Sequence, residues 1–107
     1  MPTVRAFFGQ CDGLTETGAS VAVFRLGSVE RLANLSTSTT SAVLQAVGGG
    51  DWAAPRDGFV QIVTDGDVAA VSGSAPTATA TAGALITSGH PTHFTVLAGE
   101  RIAVIDA

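Results

Sequence analysis

Residues 58–105 read GFVQIVTDGDVAAVSGSAPTATATAGALITSGHPTHFTVLAGERIAVI, and this segment decides the fold class. Short runs rich in Val, Ile, Phe and Thr alternate with turns built from Gly, Asp, Pro and Ser. This alternation is typical of short β-strands joined by tight connections. No reactive side chain recurs along the segment, so the pattern indicates a compact β domain rather than an enzyme.

Outward from this segment, β-prone runs bounded by turn residues extend over the whole chain. They predict strands at 4–8, 20–25, 30–35, 41–47, 59–64, 68–72, 92–97 and 101–105. The alanine- and threonine-rich residues 75–84 include Pro76 and favour an extended edge or a loop over a helix. We therefore expect an all-β fold with a single domain over residues 1–107. Its expected form is an antiparallel β-sandwich or a jelly-roll-like barrel of about seven or eight short strands.

Two turns predict hairpins. Asp65-Gly66-Asp67 follows the predicted strand 59–64, and Gly66 suits a hairpin because glycine readily adopts a positive φ. Residues 98–100, Ala-Gly-Glu, join the last two predicted strands in the same way. The two strands on either side of each turn are therefore expected to pair in one sheet.

Alternation within the strands predicts which faces are buried. In the last strand Ile102 and Val104 share one face, while Arg101 and Ala103 share the other. This pattern predicts one buried face and one face that is solvated or covered by a partner. The strand 59–64 is apolar on both faces, which predicts a central strand covered on both sides.

The charge composition excludes several classes of function. Charged residues make up 13% of the chain, about half the usual share of a soluble domain. All five basic residues are arginines, and with a net charge of −4 there is no basic cluster for nucleic-acid phosphates. A surface with so few charges is either covered by other subunits or solvated by Ser and Thr hydroxyl groups.

The sequence also lacks the marks of a membrane or secreted protein. No apolar run approaches the ~20 residues of a transmembrane helix, and the first residues show no basic region followed by an apolar segment. We therefore expect no membrane contact and synthesis in the cytoplasm. Cys11 is the only cysteine, and Asp12 beside it disfavours a thiolate nucleophile. A small buried hydrophobic side chain is expected there.

His90 and His93 are the only histidines, and with Glu100 they suggest the metal site of a cupin-like enzyme. Residues three apart on a strand point to opposite faces, however, and Pro91 between the histidines favours an extended chain. A pair of histidines facing solvent or another subunit is the favoured interpretation. No catalytic residue, metal or cofactor is therefore assigned.

The carboxylates of Asp65 and Asp67 leave two interpretations open. They either hold calcium weakly, or they belong to a turn whose Asp side chains bond their own backbone. The turn is favoured, because the longer acidic loop of a calcium site is missing. The three glycines 48–50 lack the lysine of a phosphate-binding loop and indicate a flexible turn.

Trp52 is the only tryptophan and lies in a Gly- and Pro-rich loop. It either folds back as a plug on the end of the sandwich or inserts into a neighbouring subunit, and stacking on a sugar is a third interpretation. Phe7 and Phe8 are adjacent on a strand, so one of them must reach a second layer or a partner. We predict an interface that includes Trp52, Arg56, Arg5 and Phe8, because Trp and Arg are favoured interface anchors.

Several segments of the C-terminal half resemble small virion structural proteins of tailed bacteriophages. In that family a strand is followed by a G-x-x-P-T-A-T loop and by a closing F-x-V-x-x-G-x-x-I-A-V-I hairpin. The matching segments are FVQIVT (59–64), DGDVA (65–69), SGSAPTAT (72–79), HPTHF (90–94) and AGERIAVI (98–105). The motif is structural, and the family supplies no catalytic residue to carry over.

The resemblance implies a non-enzymatic β-sandwich or jelly-roll-like building block of a virion. A capsid decoration (cement) protein that binds the assembled shell and stabilises it is one role of that kind, and it is the role that we expect, although the resemblance itself does not choose among virion roles. A head-fibre or tail component, or a receptor- or carbohydrate-binding module, is the alternative. The implied partners are the major capsid protein or other virion proteins and further copies of the chain, expected as a homo-oligomer such as a trimer. The implied location is the virion, after synthesis in the host cytoplasm.

Overall fold

A computed structural model describes residues 2–10 and 29–107 of the chain, and this part contains β-strands and no helix. Consequently no helix that could cross a membrane occurs in it. The predicted strand 20–25 and Cys11 lie outside the described residues. The strands are β1 (Thr3–Gly9), β2 (Glu30–Arg31), β3 (Leu35–Ser36), β4 (Ala42–Val43), β5 (Gly58–Thr64), β6 (Val68–Gly73), β7 (Ala84–Ile86), β8 (Thr92–Val96) and β9 (Arg101–Asp106).

The strands form two antiparallel sheets. The first sheet has the order β2-β1-β5-β8, with β3 also paired to β1, and the second sheet has the order β4-β9-β6-β7. Every strand pair is antiparallel. The structure thus confirms the predicted all-β fold as an antiparallel β-sandwich.

The main core lies between the two sheets and follows the period-two alternation of the strands. In β1 the side chains of Val4 and Phe8 point inward and are fully buried, and in β5 Ile62 does the same. Val68 of β6 and Val104 of β9 meet them from the second sheet. Burial of one such apolar side chain contributes about 1.5–3 kcal/mol to folding, so the inward faces hold the two sheets together.

A second, smaller apolar cluster lies on the outer face of the second sheet. It contains Ala69, Ala103 and Ile105 from the strands and Ala78 from the loop after β6. The Ala78 N–H donates a hydrogen bond to Ser41 Oγ at 2.8 Å, which fixes the loop over the sheet. The face that holds Ala103, predicted to be solvated or covered by a partner, is therefore covered by the chain's own alanine-rich loop.

Neither predicted hairpin forms. β5 pairs with β1 and β8 in the first sheet, whereas β6 pairs with β7 and β9 in the second. The Asp65-Gly66-Asp67 turn thus carries the chain from one sheet to the other. β8 and β9 also belong to different sheets, and residues 98–100 cross between them in the same way. Both hairpin predictions are wrong because local patterns mark where a strand ends but do not select the strand beside it.

Gly66 has a different role from the predicted one. Its φ is not positive, so the turn does not use the conformational freedom of glycine. A Cβ at this position would lie 2.6 Å from Cγ of Pro2, which is too close for two carbon atoms. Gly66 is therefore needed because the N-terminal segment packs directly on the crossing turn.

The remaining predicted strands are shorter than expected or divided. The strand predicted at 30–35 is replaced in the structure by two short strands, β2 and β3. Of the strand predicted at 41–47, only the two residues of β4 form a strand. β5 is central as predicted, since it lies between β1 and β8, but its outer face is only half-buried and not fully covered as expected. Residues 75–83 form no strand, as expected, but β7 begins at Ala84 and was not predicted.

Gly58 provides a test of the packing at the start of β5. A Cβ there would lie 2.8 Å from the carbonyl oxygen of Gly9 and 2.8 Å from the ring of Phe8, so Gly58→Ala must displace the backbone or the ring. We expect a loss of about 1–3 kcal/mol in the free energy of unfolding, measured by urea denaturation. Gly48→Ala is the control, because nothing lies within 4 Å of its Cβ position. Equal stability of the two variants would contradict this packing.

Candidate functional site

The carboxylates of the described residues are used to hold the structure together. Glu30, which is exposed on β2, is the exception among them. The others each accept a hydrogen bond from a backbone or side-chain donor: Asp51, Asp57, Asp65, Asp67, Glu100 and Asp106. Their bonds run to separate parts of the chain, so no acidic pair faces a common substrate or ion.

The crossing turn between β5 and β6 shows this use of carboxylates. Asp65 Oδ1 accepts the N–H of Thr3 at 2.6 Å, and Asp67 Oδ1 accepts the N–H of Ser88 at 3.0 Å. Both bonds reach distant segments, whereas the favoured interpretation of the sequence had these side chains bonding their own turn. The two carboxylates therefore clamp the turn to the start of β1 and to the loop before β8.

The crossing turn between β8 and β9 is held by the same chemistry. Asp57 Oδ1 accepts the N–H of Ala98 at 2.8 Å, and Glu100 Oε1 accepts the N–H of Leu97 at 2.6 Å. Backbone bonds between Ala54 and this turn add to the attachment: the Gly99 N–H donates to the Ala54 carbonyl at 2.8 Å. Because hydrogen bonds to an ionised acceptor are stronger than neutral ones, these carboxylates hold the connection firmly.

The histidines and Glu100 are not arranged as a metal site. His90 precedes β8 and Glu100 follows it, so the length of that strand separates them. His93 lies within β8, and both imidazoles are exposed. Within residues 2–10 and 29–107 there is no group of three or more His, Cys, Asp or Glu side chains that could hold a metal ion.

An aromatic cluster closes one end of the sandwich. The centroids of the Phe8 and Trp52 rings are 5.4 Å apart, with the ring planes tilted by 53°. The guanidinium carbon of Arg56 lies 5.2 Å from the centroid of the Phe8 ring, within range of a cation–π contact. The backbone N–H of Trp52 donates a hydrogen bond to the carbonyl of Leu44 at 2.8 Å. The Gly- and Pro-rich loop is thus folded back over the core.

The structure separates the four predicted interface residues. Phe8, Trp52 and Arg56 come together in the aromatic cluster, whereas Arg5 lies on the opposite, outer face of β1. Phe8 is 0% exposed and Trp52 is 3% exposed, so both side chains belong to the interior. Of the three interpretations of Trp52, the observed one is the side chain that folds back as a plug on the end of the sandwich. Contact with a partner stays a prediction for Arg5 and Arg56, whose side chains are exposed.

Arg5 is the centre of a surface on the outer face of the first sheet. We call Arg5, Phe7, Arg31 and Val63 the Arg5 surface, since Val63 pairs with Arg5 and Arg31 pairs with Phe7 across the sheet. The guanidinium carbon of Arg31 lies 5.8 Å from the centroid of the Phe7 ring. Sequence reasoning missed Arg31, because alternation places Arg5 and Phe7 on one face but does not show that β2 pairs with β1.

Two clefts flank Arg5. One has a volume of about 160 Å³ and lies between Arg5, Phe7, Arg31 and Asn34. The other has a volume of about 350 Å³ and extends toward Asp65 and the loop before β8. No described residue forms a hydrogen bond or an ion pair with the Arg5 side chain. The guanidinium is therefore available to an acceptor from another molecule.

Comparison of the chain with protein-family models, with curated proteins and with solved structures finds no match. The Arg5 surface is the strongest candidate site, because it combines a cation that has no hydrogen-bond or ion-pair partner among residues 2–10 and 29–107, partly exposed apolar side chains and two adjacent clefts.

The structural use of the carboxylates is tested by Asp57→Ala. This variant leaves the Ala98 N–H without its acceptor, so we expect a loss of about 1 kcal/mol in the free energy of unfolding, measured by urea denaturation. Glu30→Ala is the matched control and should change stability by less than about 0.5 kcal/mol. If both variants are equally stable, the carboxylate does not hold the turn.

The burial of Trp52 is tested by fluorescence and by truncation. The chain has one Trp and no Tyr, so the fluorescence it emits at wavelengths longer than those of Phe comes from Trp52 alone. We expect acrylamide to quench the folded protein weakly and the unfolded protein strongly. Trp52→Ala should lower the free energy of unfolding by about 3–5 kcal/mol. Val47→Ala, at a 69% exposed position in the same loop, is the control and should have little effect. Strong quenching of the folded protein would contradict the buried position.

Proposed function

We propose that this chain is a non-enzymatic structural protein of a virion, acting as a capsid decoration protein that binds an assembled shell and stabilises it. The observation that carries the proposal is the Arg5 surface, where an arginine without a described partner is flanked by two clefts. Arginine offers five N–H donors in a planar fork, which suits carboxylates and backbone carbonyls of a protein partner. The surface therefore fits docking onto another protein better than it fits chemistry on a substrate.

The distribution of titratable groups supports a role without catalysis. General acid–base or nucleophilic catalysis needs a base within hydrogen-bond reach of the reacting group, and the base is usually a His or a carboxylate. In the described part of the chain the carboxylates other than Glu30 accept structural hydrogen bonds, and no group of three or more His, Cys, Asp or Glu side chains could hold a metal ion. Most of the described carboxylates are thus engaged in holding the fold.

The sandwich also suits a decoration role energetically. A protein that binds the assembled shell, and not its free subunits, shifts the assembly equilibrium toward the shell by mass action. The clamped crossing turns and the closed core keep the sheet rigid, so little conformational entropy is lost on docking. Each copy then needs only modest affinity, because the shell presents the same binding site many times.

The resemblance of the C-terminal half to tailed-phage virion proteins supports the same role. Among the alternatives, carbohydrate recognition through Trp52 is disfavoured by the 3% exposure of that side chain, since stacking on a sugar needs an exposed ring face. A head-fibre or tail component would use the same fold and differs in its location on the particle. Electron microscopy of virions that contain the chain distinguishes these roles by its position.

Arg5→Ala tests the docking surface. We expect this variant to fold normally, because Arg5 has no described hydrogen-bond or ion-pair partner, and to bind shells about tenfold to thirtyfold more weakly. Arg5→Lys should restore part of the affinity, since it keeps the charge but not the planar fork. Binding is measured by co-sedimentation with shells purified without the chain, and raised salt should weaken it.

Thr39→Ala, an exposed uncharged position between β3 and β4, is the control and should bind as the wild type does. Wild-type binding by Arg5→Ala would remove the Arg5 surface from the proposal. Failure of the wild-type chain to bind shells, with no density for it at symmetric positions on the particle, would refute the decoration role itself.

A further inference from the structure

The outer face of the first sheet differs in charge from the acidic chain to which it belongs. Among the described residues, the strands of this sheet contain one acidic residue, Glu30. Glu30 pairs with Phe8, which is buried in the core, so alternation places it on the other face. The outer strand positions therefore carry Arg5 and Arg31 and no carboxylate, although the chain has a net charge of −4.

Arg5 and Arg31 are close neighbours on this face. Arg31 pairs with Phe7, and Arg5 lies two residues before Phe7 on β1. The two arginines are thus diagonal neighbours on an antiparallel pair, where Cβ atoms lie about 7–8 Å apart, within reach of long side chains. Both line the cleft of about 160 Å³. Because two like charges repel each other, this arrangement becomes favourable when an anion lies between them.

The cleft has no counter-charge from the described part of the chain. Apart from the two arginines it is lined by Ala6, Phe7 and Asn34. Neither guanidinium forms a hydrogen bond or an ion pair within residues 2–10 and 29–107. Asp65 lines the larger cleft beside Arg5, but its Oδ1 accepts the backbone N–H of Thr3. The smaller cleft is therefore open to an anion from another molecule.

The chemistry of the cleft favours a carboxylate. A guanidinium binds a carboxylate through two parallel N–H···O bonds, and the side-chain amide of Asn34 offers a further donor. A cavity of about 150 Å³ admits benzene, so this cleft has room for a carboxylate and its methylene groups, which the Phe7 ring can contact. A nucleic acid is disfavoured, because its affinity depends on neutralising many phosphates.

We propose that Arg5 and Arg31 together bind one carboxylate of an acidic segment of a protein partner, in the cleft between them. Arg31 is then a second determinant of docking beside Arg5. That the partner is a shell protein rests on the proposed function, whereas the chemistry of the site does not.

Titration of the purified chain with oligoglutamate tests this site. We expect the side-chain Nε–H NMR signals of Arg5 and Arg31 to shift, and oligoglutamine of the same length to leave them unchanged. Arg5→Ala and Arg31→Ala should each raise the dissociation constant about tenfold, since each removes charge-assisted hydrogen bonds. The double variant should lose less than the two single effects combined, because both arginines act on one carboxylate.

Arg31→Ala combined with Leu85→Arg is the control for general charge. Leu85 is 64% exposed on β7 of the second sheet, so this variant keeps the wild-type net charge but not the cleft. It should bind oligoglutamate as weakly as Arg31→Ala does, and thermal unfolding checks that it is folded. Wild-type binding by this variant would overturn the proposal. Inorganic phosphate or oligothymidylate that binds as tightly as oligoglutamate would overturn it too, as would arginine signals that do not shift.

Co-sedimentation with shells separates this proposal from the decoration role. We expect Arg31→Ala to bind shells about tenfold more weakly than the wild type does. If Arg5→Ala weakens shell binding and Arg31→Ala does not, the decoration role stands and the two-arginine site is wrong. If both arginines bind oligoglutamate but the chain does not bind shells, the site stands and the decoration role is wrong.

Discussion

The contact between the inward faces of the two sheets is the constraint on which the other features depend. β5 and β6 are consecutive in the chain but lie in different sheets instead of pairing, and the same holds for β8 and β9. The crossing turns have no ladder of strand hydrogen bonds to fix them, so they need other partners. The carboxylates supply those partners once the core has brought distant segments within reach.

The core holds the sheets together and the carboxylates fix the turns between them, which explains where a chain with so few charged residues places them. Acidic side chains are placed where connections cross between sheets, because an ionised acceptor binds backbone N–H groups strongly. Arg31 and Arg56 lie against aromatic rings, and Arg5 extends from the middle of a sheet face. Residues 68–99 contain no Asp, Glu, Lys or Arg, and charged side chains from outside this run bond backbone groups within it. The few charges of the described residues thus serve mainly to hold the fold together.

The proposed docking role uses this distribution of charge. In that proposal the Arg5 surface offers a cation to acceptors on a different protein, while the carboxylates remain bonded within the crossing turns. The planar fork of the guanidinium suits such acceptors because it presents several N–H donors in a fixed geometry.

The sequence by itself determined the β class, the position of most strands and the alternation within them, since these depend on residues that are neighbours in the chain. It placed Phe7 and Phe8 on opposite faces of β1 and predicted an extended edge or a loop for the alanine-rich segment. Only the tertiary structure decided that β5 and β6 do not pair, that Trp52 turns inward, and that Arg31 joins Arg5 on one face. The reason is physical: strand partners and loop positions are selected by competition for burial between segments distant in sequence, and no local pattern encodes the outcome of that competition.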